Sequence, residues 1–406
     1  MRKILYILPI VALVLCIALV LVMTGVLTFP EPTAPSTSHT TTVGTQASDP
    51  SSTGDTTWTP MDMVSIALPK MTDTIVTEDG LLLFYRTFQD VVISSPNAQL
   101  NKAVTLDLLQ RMDANSDIAA QLADLVQYYT PEYNWSAPYY EILYKPTRID
   151  SVILSLHATE AAYSGNGEAS NHQMCVNYHM VTGEVLTLSQ ILSEESGAQD
   201  GLLQAILGAL AENVQAWELF SDYQDIVTRY FQSYLQQESI WYLTGEGLNL
   251  CFAPYEIAPH ASGTITVSIP YSALTGILRG ELFPQPQSNV AATVQAVDFS
   301  SAELGRYSHF AECILDADGK GSLIVTDTIL YDVRLELHAP ALTDESYDSV
   351  ATVFAANCIS SDDALLLRYT PSENTQLLLR CRAGGQERCF RVTANSDNSV
   401  SLIPND

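Results

Sequence analysis

Positive charge is what this chain has least of. It carries 18 lysines and arginines against 46 aspartates and glutamates, and only five of the 18 are lysines. A formal charge of −28 repels nucleic acid and anionic surfaces and attracts cationic partners, besides keeping an exported protein soluble. Catalytic signatures are missing too. There is no Gly-x-Ser-x-Gly elbow, no His-Glu-x-x-His, no Gly-Lys-Ser/Thr phosphate loop and no Ser-x-x-Lys. Nothing in the sequence calls for a cofactor. Carboxylates are abundant, so a glycosidase-type pair stays open as an alternative, because its two members need not be close in sequence.

Cysteine is sparse. Of seven, six lie beyond the first apolar run: Cys175, Cys251, Cys313, Cys358, Cys381 and Cys389. An even number in an exported chain permits up to three disulfides, and free thiols are the alternative. Cys381 and Cys389 flank a stretch centred on Gly384-Gly385 that suits a hairpin, which makes them the candidate bridge.

What the chain does have begins with one long apolar run. Residues 4–27 carry no charge and follow Arg2 and Lys3. At about 1.5 Å per residue they would cross the roughly 30 Å hydrocarbon core of a bilayer. The expectation is an uncleaved anchor with a cytosolic stub (1–3) and the rest of the chain outside, cleavage and secretion being the alternative. A three-residue stub has no room for a cytosolic signalling segment. From 33 to 57, 14 of 25 residues are Ser or Thr, so 28–60 reads as a polar tether.

Folded character starts near residue 61. Apolar spacing predicts helices over 101–112, 116–129, 202–217 and 222–237, among strand-like runs such as 80–93 and 148–165. Beyond a linker with Pro284 and Pro286, every apolar run from 296 to 406 is short and strand-like. The expected architecture is α+β: an antiparallel sheet with packed helices over 61–290, then a small all-β domain over 296–406, behind one transmembrane helix.

Three candidate sites stand out. The loop 252–263, FAPYEIAPHASG, holds two prolines that forbid a central strand. Tyr255, Glu256 and His260 are its candidate ligand-binding residues. The competing reading is a stiff corner with Tyr255 and Ile257 packed inward. Residues 316–327 set Asp316, Asp318 and Asp327 at positions that echo a calcium loop. Lys320 takes a ligand position, however, and a hairpin turned at Asp318-Gly319 explains the same letters. His172, Cys175 and His179 are separated by strand alternation and do not make a single zinc site.

The segments YSGNGEASNHQMCVNYHMVTGEVLTLSQIL, WYLTGEGLNLCFAPYEIAPHASG and ITVSIPYSAL, in that order, resemble the RsiV-like extracellular domain family. That family of domains of unknown function includes the ectodomain of a lysozyme-sensing anti-sigma factor, and similar domains precede peptidoglycan deacetylase domains. The likeness covers about 61–282. It departs from the family at the degenerate turn over 164–167 and at His260, where an aromatic is usual. The resemblance implies a non-enzymatic extracytoplasmic binding domain, with lysozyme or another cationic protein, or peptidoglycan, as partner.

Overall fold

The computed structural model describes residues 62–405 apart from 115, 132–134, 286–289, 340–349, 373, 396 and 398. The expected anchor, stub and tether lie outside the described residues. Among the described residues, no helix is long and apolar enough to cross a membrane.

The chain opens with β1 (Ser65–Ala67), β2 (Lys70–Val76), β3 (Leu82–Gln89) and β4 (Val92–Ser94), followed by helices α1 (Ala98–Asp113) and α2 (Ser116–Asp124). Asn97 starts α1 by accepting hydrogen bonds at 3.1 Å from the backbone N–H groups of Gln99 and Leu100, which satisfies two of the orphan donors of the first turn. Leu100, Val104, Leu108 and Met112 then form one buried stripe at i, i+4 spacing. This stripe lies on β5 (Tyr139–Ile149), β6 (Ile153–Tyr163) and β7 (Ser170–His179), in a sheet ordered β2-β3-β5-β6-β7. Strand alternation divides its faces. Tyr140, Ile142, Leu154 and Leu156 meet the helices, while Tyr85, Tyr139 and Tyr163 stack on the other side, the first two rings 5.0 Å apart.

Helices α3 (Ala198–Ala211) and α4 (Tyr223–Leu235) and the meander β8 (Trp241–Leu243), β9 (Gly247–Phe252) and β10 (Ile265–Pro270) share a second core. It is built on Leu202, Ile206, Val227, Phe231 and Trp241. The meander docks on the five-stranded sheet through specific bonds. Asn177 donates its side-chain amide to the Trp241 carbonyl at 2.7 Å, and Thr147 donates its hydroxyl to the Leu243 carbonyl at 2.8 Å. The chain turns at Thr182-Gly183, with Gly183 at φ +76°, and a single bridge, Tyr178 to Val185, follows instead of a full strand.

The remaining strands are β11 (Val294–Asp298), β12 (His309–Ile314), β13 (Gly321–Thr326), β14 (Leu330–His338), β15 (Val350–Ile359), β16 (Asp363–Arg368), β17 (Gln376–Ala383), β18 (Gln386–Ala394) and β19 (Val400–Pro404). They make two facing sheets, ordered β11-β13-β16-β12 and β19-β18-β17-β14-β15-β1-β4, over a core of Ile324, Leu335, Phe354, Leu365 and Leu379. The hairpin expected at Asp318-Gly319 is corrected here. A turn forms, but β12 and β13 do not pair with each other, since both take β16 as neighbour, β12 in parallel.

Strands β1 and β4, from the start of the described chain, complete the seven-stranded sheet. Ser65, Ile66 and Ala67 pair with Ala356, Ala355 and Phe354. Alternation sends Val64, Ile66 and Leu68 into the helix-covered core and Met63 and Ala67 into the sandwich core, so one strand belongs to both. The fold is mixed α+β and mostly β, with few helices.

Candidate functional site

Where the five-stranded sheet, the meander and the seven-stranded sheet meet, the surface sinks into a cleft of about 1420 Å³. Its walls come from the end of β5, the β8–β9 turn, β14, and the β17–β18 hairpin. Six of the chain's 18 basic residues line it: Lys145, Arg148, Arg334, Arg380, Arg382 and Arg388. Six acids accompany them: Asp150, Glu246, Glu281, Asp332, Glu336 and Glu387. The cleft is therefore charge-balanced in a chain of net −28. Carboxylates of the kind the glycosidase-type alternative needs are present in it, mixed with an equal number of basic side chains.

Much of that charge is structural. Arg148, almost fully buried, sits 2.6 Å from Asp150 and also donates to the Tyr271 hydroxyl and the Leu282 carbonyl, clamping β5 to the segment after the meander. Burial pushes the Tyr271 hydroxyl above its ordinary pKa, against the opposing pull of Arg148. Arg380 reaches Glu336 at 2.8 Å, and Arg334 donates to the Thr147 carbonyl at 3.1 Å, joining the two large sheets across the floor. Lys145 and Arg388 have no hydrogen-bond or ion-pair partner among the described residues.

The loop predicted to carry ligand-binding residues lies outside this cleft, between β9 and β10. Its three candidates separate into two roles. Glu256 closes its own turn: its Oε2 accepts the Ala253 N–H at 2.8 Å, and its N–H donates to the Ala253 carbonyl at 3.0 Å. Burial first, and then this carboxylate, raise the pKa of the Tyr234 hydroxyl. Ile257 and Ala258 plug the meander core. Tyr255 does not pack inward as the corner reading expects. It is 69% exposed, and its ring meets that of exposed His260 in a tilted pair, 36° between planes and 5.1 Å between centroids. Its backbone stands at φ +68°, in the left-handed region that favours glycine or asparagine. A tyrosine held there, pointing outward, is a rigid amphipathic platform suited to stacking on a sugar ring or a protein side chain.

The other candidates do not assemble. Asp316 accepts from the Asp318 N–H and the Thr370 hydroxyl, whereas Asp327 lies at the far end of β13 and accepts the Thr293 N–H at 2.8 Å. The length of that strand, about 20 Å at 3.3 Å per residue, separates them, so the three aspartates are not a calcium loop. Cys381 and Cys389 are both free. Register sets Cys381 opposite Arg388 and Cys389 opposite Arg380, an offset of one that points the sulfurs to opposite faces of the sheet. The expected bridge is therefore corrected. The pair that spacing did not indicate is Cys175 and Cys251, 76 positions apart and brought into contact by docking of the meander.

Comparison with known proteins adds a family match over part of the chain. Residues 189–272 match the family described as "Protein of unknown function (DUF3298)", a span coinciding with α3, α4 and the meander. No curated protein matches the chain. Among solved structures, a DUF3298 family protein from Pseudomonas aeruginosa PAO1 is similar at 16% identity and a TM-score of 0.37, covering 54% of this chain and 97% of that one. A DUF3298 family member from Bacteroides fragilis NCTC 9343 is similar at 13% identity and a TM-score of 0.39, covering 55% and 96%.

Proposed function

We propose that this is an extracytoplasmic binding protein of the RsiV-like kind, anchored to a bacterial membrane by residues 4–27 and spaced from it by the tether 28–60. Its loop 252–263 engages a cationic protein such as lysozyme. The observation that carries this reading is Tyr255, which holds an exposed ring in a backbone conformation that a smaller residue would adopt more readily. The charge of −28 supports a cationic partner by speeding encounter and setting orientation. Tyr255 and His260 then supply the desolvated contact, aromatic anchors being over-represented among the residues that dominate interface energetics.

The test is calorimetric titration of the protein with lysozyme at low and at physiological salt, alongside the Tyr255→Ala variant. Binding at both salts, weakened by roughly tenfold or more in the variant, is the expected result, since truncating an anchor costs about 2 kcal/mol or more. Binding confined to low salt would reduce the interaction to general acidity. Absence of binding at either salt would remove lysozyme and leave peptidoglycan fragments as the ligand to titrate next, with release of soluble fragments marking a hydrolase instead.

A further inference from the structure

Docking of the meander on the five-stranded sheet brings three reactive side chains together, two buried thiols and a half-buried imidazole. His157 on β6 stands directly across from Cys175 on β7, so their side chains share a face. The meander presents Cys251 to that face from β9. The backbone N–H of Cys175 donates to the Ser239 carbonyl at 3.0 Å, and that of Cys251 to the neighbouring Ile240 carbonyl at 2.8 Å, so consecutive residues of one segment hold the two cysteines in place. Both thiols are buried, and they lie close enough for each to shift the ionisation of the other. The Cys251 sulfur also contacts His157 and lies 3.7 Å from the Thr266 hydroxyl on β10. His157 is held in turn by the Gln173 amide oxygen at 3.1 Å and by the Tyr242 ring at 5.1 Å. His157 and Tyr242 line the cleft, which places the thiols just behind its wall.

We propose that Cys251 and Cys175 form a peroxide-reactive dithiol, in which hydrogen peroxide oxidises Cys251, Cys175 resolves the product, and the resulting disulfide ties the meander to the five-stranded sheet. The groups around Cys251 divide its role from that of its neighbour. Hydrogen bonds from Cys175, then from His157 and Thr266, hold the Cys251 thiol below its ordinary pKa despite burial, while the bond to Cys251 and burial raise Cys175. Burial opposes the charged form of His157 and Lys145 repels it, but the hydrogen bonds to Cys251 and Gln173 raise its pKa overall. Tyr242 stays a neutral phenol, pushed up by burial first. Cys251 is thus the sulfur that gives up its proton more readily, His157 beside it holds a proton more readily than a free imidazole, and Cys175 stays a thiol in reach.

The chemistry balances. The Cys251 thiolate attacks one peroxide oxygen, the O–O bond breaks, and the leaving hydroxide takes the His157 proton to become water, leaving a sulfenic acid. Neutral His157 then draws the proton from Cys175, whose sulfur attacks that of Cys251. The S–O bond breaks, and hydroxide leaves with that proton as the second water. Two thiols and one peroxide become one disulfide and two waters. Peroxide is small enough for a thiol behind a cleft wall, where bulkier disulfide oxidants are excluded.

One equivalent of hydrogen peroxide added to the reduced protein, followed by non-reducing peptide mapping with mass spectrometry, tests this. The expected product is a single cross-link between the peptides holding Cys175 and Cys251, reversed by dithiothreitol. In Cys175→Ser the cross-link vanishes, and dimedone traps a sulfenic acid at Cys251. His157→Gln slows the reaction about tenfold near neutral pH and moves its pH midpoint up toward the ordinary thiol range. Oxidation of the more exposed Cys389 while Cys175 and Cys251 stay reduced would overturn the proposal. So would an unchanged rate and pH profile in His157→Gln.

Discussion

Tyr255 shows how one residue can be read correctly in type and wrongly in direction. Its neighbours Pro254 and Pro259 made the loop legible as a non-strand, but nothing in the letters gives φ +68° or says that the ring faces out. Inward and outward positions are readable where alternation is regular, and a proline-bounded turn has none. Because the conformation suits asparagine better than tyrosine, Tyr255→Asn should leave the melting temperature unchanged or raise it while removing the proposed contact. Calorimetry on the variant checks this, and a drop of several degrees would make Tyr255 a structural residue instead. Cys175 and Cys251 were illegible as a pair for a different reason: they meet only when two sheets dock, and spacing carries no information about docking. Buried phenols give a pH prediction at the same scale. Burial pushes Tyr144 and Tyr242 up to about 12, above the ordinary value near 10. The unfolded chain therefore ionises first, so stability present below pH ~10 is lost as pH rises toward about 12. Phenolate absorbance from these residues should appear together with unfolding in an alkaline titration, not ahead of it.

At the scale of elements, the sequence was most informative where periodicity runs longest. Val104, Leu108 and Met112 had already marked α1, and the structure adds Leu100 and the Asn97 cap one turn earlier. The β8–β9 hairpin turns between Gly245 and Gly247, residues whose type alone marks a turn. The second glycine has a packing role that its turn signal did not reveal. A Cβ built at Gly247 would stand 2.0 Å from the Ile269 carbonyl oxygen on the paired strand β10. Since neither backbone can retreat without breaking the β9–β10 ladder, Gly247→Ala should destabilise the protein by about 2–4 kcal/mol, read as a lowered denaturant midpoint. A change under about 0.5 kcal/mol would mean that the meander is looser than its pairing indicates. Partnership is harder to read than identity at this scale. The runs beyond 296 were visible as strands, yet β12 and β13 flank β16 instead of each other, because parallel pairing leaves no local turn signature.

At the scale of the whole molecule, β1 matters most. Three residues long, it was invisible as a strand, and its partner lies near the other end of the chain. Ile66 is fully buried in the helix-covered core, while Ala67 next to it packs in the sandwich. The two expected domains should therefore not melt separately. Ile66→Ala is expected to cost about 2–4 kcal/mol and to lower one shared calorimetric transition. Residues 296–406 expressed alone should stay unfolded or aggregate, because removal of β1 and β4 opens the β15 edge. Two resolved transitions, or a well-folded fragment, would show that β1 is dispensable. The same strand also sets a schedule. The Val64 N–H bonds to the side chain of Asn357, 293 positions later. At roughly 5–20 residues per second, the ribosome needs about 15–60 s to make that partner. Until then the N-terminal strand has an unfilled edge and the helix-covered core lacks Ala355, so any factor that shields nascent chains would have its longest task on the first thirty residues of the fold.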